Sequence, residues 1–140
     1  MKILLAADGS SYTKKALAYL VNHEELAAGD GELVVLNVQA PMPPRVKSLV
    51  GAAAIKDYHR EEAEKVLKPI DRFLQRHDFA YRTRWLVGLP GPEIVRAAKK
   101  EKAHLVVMGT HGLGLLGRAL LGSVAQHVLT DCEVPVLLVK

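Results

Sequence analysis

Residues 108–124 read M-G-T-H-G-L-G-L-L-G-R-A-L-L-G-S-V. The apolar run His104-Leu105-Val106-Val107-Met108 precedes this stretch, and an amphipathic run from Val124 to Leu129 follows it. The pattern predicts a strand that empties into a long glycine-rich loop closing on a helix N-terminus. Glycine lets backbone N–H groups turn inward with no side chain in the way. A helix start adds unpaired donors and a partial positive charge. Together they make an anion site, with phosphate the foremost candidate.

Outward from this loop, the chain alternates strand and helix. Residues 2–7 form a short apolar run read as a buried strand, broken by Asp8-Gly9-Ser10-Ser11. Ala16, Leu17, Leu20 and Val21 recur at helical spacing, so a helix is predicted from Ser11 to about Ala28, stopped by Gly29 and Gly31. A second strand covers Glu32 to Val38. From Gln39 to Ala54 the prolines at 41, 43 and 44 predict an irregular connection, a lid or a binding segment. Helical periodicity returns from Ile55 to Leu74, with Pro69 expected to kink or break it.

Phe79 to Val87 alternates, with Arg82 and Arg84 on one side, and suits a strand at a sheet edge. A helix follows with Pro92 near its first position and Glu93 in its first turn. After the glycine loop come a helix from Ser123 to about Thr130 and a last strand, Val134 to Val139. The order βαβαβαβαβ predicts an α/β fold in one domain over residues 1–140: an open parallel sheet of five strands with helices on both faces. Ligands of such sheets bind beyond the carboxyl ends of the strands, where strand order reverses. Asp8 and the glycine loop both follow strands directly. The last strand is apolar throughout although it ends the chain, so a second copy covering it, a homodimer, is the expected arrangement.

Composition bounds the function. The 140 residues are 49% hydrophobic and 24% charged, with no apolar run near the ~18 residues of a membrane span. The N-terminal run ends at Asp8 and reads as a first strand, not a signal peptide. The single Cys132 excludes an internal disulfide and fits a reducing, cytoplasmic setting. The net charge of +4 is spread beside acids such as Glu61, Glu62 and Glu64, which favours solvated faces and ion pairs over a nucleic-acid surface.

Gly112-Leu113-Gly114-Leu115-Leu116-Gly117 satisfies G-x-G-x-x-G, but the acidic residue that should end the next strand is missing. No Gly-Lys-Ser/Thr closes a Walker loop either, and Arg118 is the loop's only cation. A second spacing fits better: Gly109, two residues, Gly112, nine residues, Gly122, then Ser123. With A-D-G-S after the first strand, L-N-V closing the second, G-L-P-G-P-E-I before a helix and P-V-L-L-V at the end, this resembles the universal stress protein family, in its ATP-binding branch. The resemblance covers nearly the whole chain.

The resemblance implies a Rossmann-like sheet of order 3-2-1-4-5 and an adenine nucleotide, ATP, with Mg²⁺ held mainly by its phosphates and no protein metal ligands. It implies that Asp8 lies against the adenosine and that Val38 meets adenine through its backbone. Gly109 and Gly112 would pass close to the ribose and α-phosphate, and Gly122, Ser123 and Val124 would present N–H groups and a hydroxyl to phosphates. Ala7, Met108 and Gly114 flank these positions and belong to the same expected site.

Other readings stand beside these. Asp8 could N-cap the first helix, Ser123 could be a cap alone, and His111 and Arg118 reach either phosphate or water. His127 is expected to be structural or exposed, and Cys132 a small buried hydrophobe. Asn37 stands where the family often has His, and Leu113 where it often has Arg, which removes one cation near the phosphates. The leading expectation is a dimeric nucleotide-dependent switch in the stress response that signals to a protein partner. The alternatives are a slow ATPase or phosphoryl- or adenylyl-transferase, for which no catalytic constellation is recognisable, and an interaction module without nucleotide.

Overall fold

The computed structural model describes residues 1–27, 29–113 and 121–140. Five parallel strands, β1 (Lys2–Ala6), β2 (Glu32–Gln39), β3 (Tyr81–Val87), β4 (Leu105–Gly109) and β5 (Val136–Val139), form one sheet. Their order is β3-β2-β1-β4-β5. The helices are α1 (Ser11–Asn22), α2 (Pro44–Val50), α3 (Ala52–Leu74), α4 (Pro90–Lys100) and α5 (Ser123–Asp131), with a 3₁₀ turn at Glu24–Ala27. The chain steps outward from β1 through β2 to β3, then returns to the other side of β1 for β4 and β5. Strand order therefore reverses between β1 and β4, which opens a crevice at their carboxyl ends.

Strand alternation splits the core into two layers. Ile3, Leu5, Leu33, Val35 and Val107 face α1 and α3, meeting Ala16, Leu17, Leu20, Ala63, Leu67, Ile70 and Leu74. Leu4, Val34, Leu36, Val106 and Met108 face the opposite way, onto Ile94, Ala97 and Ala98 of α4 and Ala125 and Val128 of α5. The central strands are buried on both sides, which explains their uniformly apolar sequences. Cys132 is half-buried and packs on this second layer. No helix among the described residues is long and apolar enough to cross a membrane.

The largest departure from the sequence reading lies between residues 39 and 54. Pro43 and Pro44 were expected to exclude regular structure, yet Pro43 caps α2 and Pro44 opens it. Proline fits the first turn, where its missing N–H would have no acceptor anyway. Helix α3 likewise runs unbroken through Pro69, with Leu67, Ile70 and Leu74 buried on either side of it. Their burial against the sheet outweighs the one helical hydrogen bond that proline forfeits.

Helix α1 stops at Asn22, short of the expected 28; Ala28 itself lies outside the described residues. His23 ends it, its amide turning to Leu20 O at 3.1 Å and its ring stacking on Tyr19 with centroids 4.1 Å apart. Helix α4 starts two residues before the expected Pro92, at Pro90. Strand β5 begins at Val136, not Val134, although Pro135 O already accepts from Val106 N at 2.9 Å.

Strand β3 is an edge strand, as its alternation suggests. Its tyrosine and tryptophan, Tyr81 and Trp85, pack on the α1–α3 layer. Its arginines do not stand free: Arg82 bonds Glu32 at 2.7 Å and Glu101, and Arg84 bonds Glu101. Lys2 joins at 3.4 Å from Glu32. Arg82 holds the Glu32 and Glu101 carboxyls below their ordinary range, chiefly through these hydrogen bonds.

Candidate functional site

At the reversal point the ends of β1, β2 and β4 and the start of α5 enclose a cleft of about 350 Å³, a size typical of small-ligand pockets. Ala7, Asp8, Val38, Met108, Gly109, His111, Gly112, Gly122, Ser123 and Val124, singled out in sequence, all line it. The remaining two, Gly114 and Arg118, lie outside the described residues. Leu36, Pro90, Ile94 and Ala125 complete an apolar wall that the motif reading did not include.

Asp8 follows β1 but does not cap α1. Ser10 is the N-cap, its hydroxyl accepting from Thr13 N at 3.4 Å. Asp8 Oδ1 instead accepts from Ser10 N and from Thr13 Oγ1, each at 2.9 Å, while Thr13 Oγ1 accepts from Asp8 N at 3.1 Å. Asp8 Oδ2 accepts from Leu113 N at 3.2 Å, so one carboxylate ties the β1–α1 turn to the glycine loop. A Cβ on Gly112 would stand 2.6 Å from that same oxygen. At Gly109 a Cβ would overlap Tyr12 Cβ, because α1 crosses directly over the end of β4. Both positions need glycine for close approach.

Thr110, 7% exposed, is the hub that sequence reasoning missed. Its N donates to Val139 O at 3.0 Å, its carbonyl accepts from Gly122 N at 2.7 Å, and its hydroxyl lies 2.8 Å from His111 Nδ1. The two ends of the loop are thus stitched together beside β5. Thr13, equally unremarked in the sequence, holds Asp8 in place. A threonine three residues into a helix behind an N-cap serine is the only local signal for it. The His111 ring tilts against Tyr12 with centroids 5.0 Å apart.

Gly122, not Ser123, is the N-cap of α5, and it makes no side-chain cap bond. The first intrahelical acceptor is Gly122 O, bonded by Gln126 N at 3.0 Å. Ser123, Val124 and Ala125 therefore carry the first-turn amides that have no acceptor within the helix, and no acidic residue in that turn offsets the helix dipole. Their positions border the cleft. At the opposite end, Asn37 Nδ2 donates to Ala7 O at 2.9 Å. The residue that departs from the family pattern thus ties β2 to the β1 exit through its side chain.

His127 and Cys132 lie apart from this chemistry. His127 packs over Gly91 and sits 3.1 Å from Asp131. Among the described residues no three His, Cys, Asp or Glu side chains converge as a metal site.

Fold and cleft together define a doubly wound α/β protein with a ligand crevice at its switch point, apolar at one end and amide-lined at the other. The chain belongs to the universal stress protein family, whose model matches residues 1–140. It is 39% identical over 140 residues to a universal stress protein of Thermus aquaticus encoded in the QAH/OAS sulfhydrylase 3′ region, covering 99% of this chain and 97% of that one. The solved structure of the Methanocaldococcus jannaschii protein MJ0577, itself a universal stress protein, superposes with a TM-score of 0.86 at 32% identity, covering 99% of this chain and 94% of that one. A universal stress protein crystallised in complex with cAMP superposes with a TM-score of 0.64 at 26% identity, covering 100% and 96%.

Proposed function

We propose that this protein binds ATP in the β1–β4 cleft and works as a nucleotide-dependent, dimeric switch in the cytoplasm. The observation that carries the reading is the polarity of the cleft. Leu36, Val38, Pro90 and Ile94 offer a flat apolar slot at one end. The first-turn amides of Ser123, Val124 and Ala125, without an acceptor among the described residues, offer an anion cradle at the other. An adenine ring suits the first and phosphates suit the second. A family relative bound to cAMP supports an adenine nucleotide as the ligand class.

Asp8 belongs at the sugar between them. A carboxylate repels phosphate but accepts from hydroxyls, and Asp8 Oδ2 accepts only from Leu113 N among the described residues. Mg²⁺ would be carried by the phosphates, neutralising charge that α5 alone offsets in part. Because Asp8 already ties the loop at Leu113, a sugar hydroxyl arriving at Oδ2 competes with that tie and alters the loop's hold. Differential affinity of this kind is what a switch requires. Strand β5 leaves one edge of the sheet without a neighbouring strand, and the half-buried side chains of Val136–Val139 suit a second copy there.

The test is nucleotide content. Gently purified protein is denatured and its supernatant run on ion-exchange HPLC, alongside a Gly122→Val variant. A Cβ at Gly122 would stand 3.3 Å from both His111 Cα and Thr110 O, so valine crowds the cradle. ATP in the native protein and none in the variant is the expected result, and timed incubation then measures any hydrolysis. Empty protein that also gives no heat with Mg-ATP by calorimetry refutes the reading.

A further inference from the structure

Along β2, the side chains on the α1–α3 side change character at the cleft end. Leu33 and Val35 are buried in that layer, whereas Asn37 and Gln39, next on the same face, carry amides. Leu36 and Val38, on the opposite face, line the cleft. The two amides therefore lie behind the β2 wall of the cleft, and there they meet His59 of α3, which is buried like Asn37.

Backbone carbonyls fix how each amide points. Ala7 O only accepts, so it takes Asn37 Nδ2–H at 2.9 Å and leaves Asn37 Oδ1 as an acceptor. His59 O likewise takes Gln39 Nε2–H at 2.8 Å, and the same nitrogen reaches Asn37 Oδ1 at 3.2 Å. Gln39 Oε1 then faces His59 Nδ1 at 2.8 Å, so Nδ1 carries the proton and donates. Beyond Ala7 the same sense continues. The N–H of the Ala7–Asp8 peptide donates to Thr13 Oγ1 at 3.1 Å, and the Thr13 hydroxyl donates to Asp8 Oδ1 at 2.9 Å. Five donors in series thus point one way, from His59 Nδ1 to the Asp8 carboxylate. Bonds in such a series polarise one another, and the last of them is charge-assisted.

We infer that Asn37, Gln39 and His59 are positioning residues for the nucleotide site: through Ala7 and Thr13 they hold Asp8 Oδ1 in place, so that Oδ2 is presented to the sugar. The inference rests on the reading of Asp8 as the sugar's acceptor and adds what sets that acceptor. A tie between α3 and β2 needs no amides, since Leu33 and Val35 pack the same layer with apolar side chains. No α3 residue is among the described residues lining the cleft, so the series is a route by which that helix acts on the sugar end.

Calorimetry of the full chain with Mg-ATP and with Mg-2′,3′-dideoxy-ATP, which lacks both sugar hydroxyls, reads the preference directly. Native protein is expected to favour ATP by roughly tenfold or more, the worth of a hydrogen bond to a charged acceptor. Asn37→Leu keeps the size but offers Ala7 O no donor, and the preference should fall towards unity. His59→Phe keeps a ring and loses Nδ1–H, giving an intermediate ratio; His59→Asn, whose Nδ2 can donate in place of Nδ1, restores it. A loss of stability alone leaves the ratio of the folded protein unchanged. A readout without nucleotide is the Leu113 amide, bonded to Asp8 Oδ2 at 3.2 Å. Its ¹H–¹⁵N cross-peak is expected to move in Asn37→Leu and His59→Phe and to return in His59→Asn. If Asn37→Leu does not fold, the two His59 variants decide. Variants that keep the native preference and leave the Leu113 amide unmoved overturn the inference while nucleotide binding stands. Native protein that binds both nucleotides alike overturns it too. Protein that binds neither overturns the nucleotide reading, and this inference with it.

Discussion

Replacing Asp8 by alanine removes the acceptor of three hydrogen bonds at once: Ser10 N and Thr13 Oγ1 at 2.9 Å, and Leu113 N at 3.2 Å. The first two donors belong to residues only 6% and 3% exposed. A buried donor left without a partner costs about 1–3 kcal/mol. The cleft admits some water to the vacated space, so the two together are expected to cost about 2–4 kcal/mol. The Leu113 bond is at an exposed site and water replaces it, within about 0.5 kcal/mol. Asp8→Asn separates these terms. Its Oδ1 keeps both buried bonds, its Nδ2 opposes the Leu113 N–H, and the charge near the α1 N-terminus is lost, worth about 0.3–1 kcal/mol. Urea unfolding followed by circular dichroism should therefore place Asp8→Ala about 2 kcal/mol below Asp8→Asn. If the two variants unfold together, or if alanine matches the native protein, Asp8 does not hold the turn as described.

The remaining predictions concern packing, charge and assembly. Gly109→Ala forces α1 away from β4 at Tyr12, and the urea midpoint should fall by the equivalent of about 1–3 kcal/mol. Glu101→Gln leaves Arg82 and Arg84 facing an amide; with Arg82 40% and Arg84 26% exposed, screening limits the loss to about 1–2 kcal/mol at neutral pH. Because Arg82 lowers the folded pKa of Glu101 below its ordinary 4.5, that advantage is complete above 4.5 and is lost as pH falls through the folded value. Unfolding midpoints of native and variant protein should converge on acidification, and a gap that widens contradicts the assignment. Sedimentation should show a dimer at micromolar concentration, and monomer alone removes β5 as an interface.

Sequence showed most of the sheet because burial on both faces leaves a clean apolar signature in β1, β2 and β4. The edge position of β3 was legible from its arginines, but for an incomplete reason. They were read only as the mark of an edge strand, whereas Glu32 and Glu101 engage them across the sheet surface. Those partners lie 50 and 19 positions away from Arg82, beyond any local pattern. Helix α2 was missed because proline's veto on helix interiors was applied at a helix start. The threonines at 13 and 110 were missed because Thr13 acts by holding the Asp8 carboxylate and Thr110 largely through its own backbone N–H and carbonyl, for which residue type alone carries little signal.

The glycine spacing that identifies the loop has a mixed physical origin. Gly109 is required by Tyr12 and Gly112 by Asp8, both walls of the protein itself, so a relative that had lost its nucleotide would still need both residues to pack. Their presence therefore reports the fold of the cleft before it reports a ligand. Helix α5 is different in kind. Among the described residues nothing in the packing requires its first turn to lack an acidic residue, and Ser123, Val124 and Ala125 line the cleft. A serine, threonine or aspartate cap would improve on glycine by only about a few tenths of a kcal/mol, and position 122 forgoes that gain. The weight of a nucleotide-binding reading rests on this helix end without a side-chain cap, and Gly122→Asp is the substitution that probes it. An aspartate there would offer its carboxylate to the first-turn amides and exclude an anion from the same place, with its Cβ 3.3 Å from His111 Cα and Thr110 O.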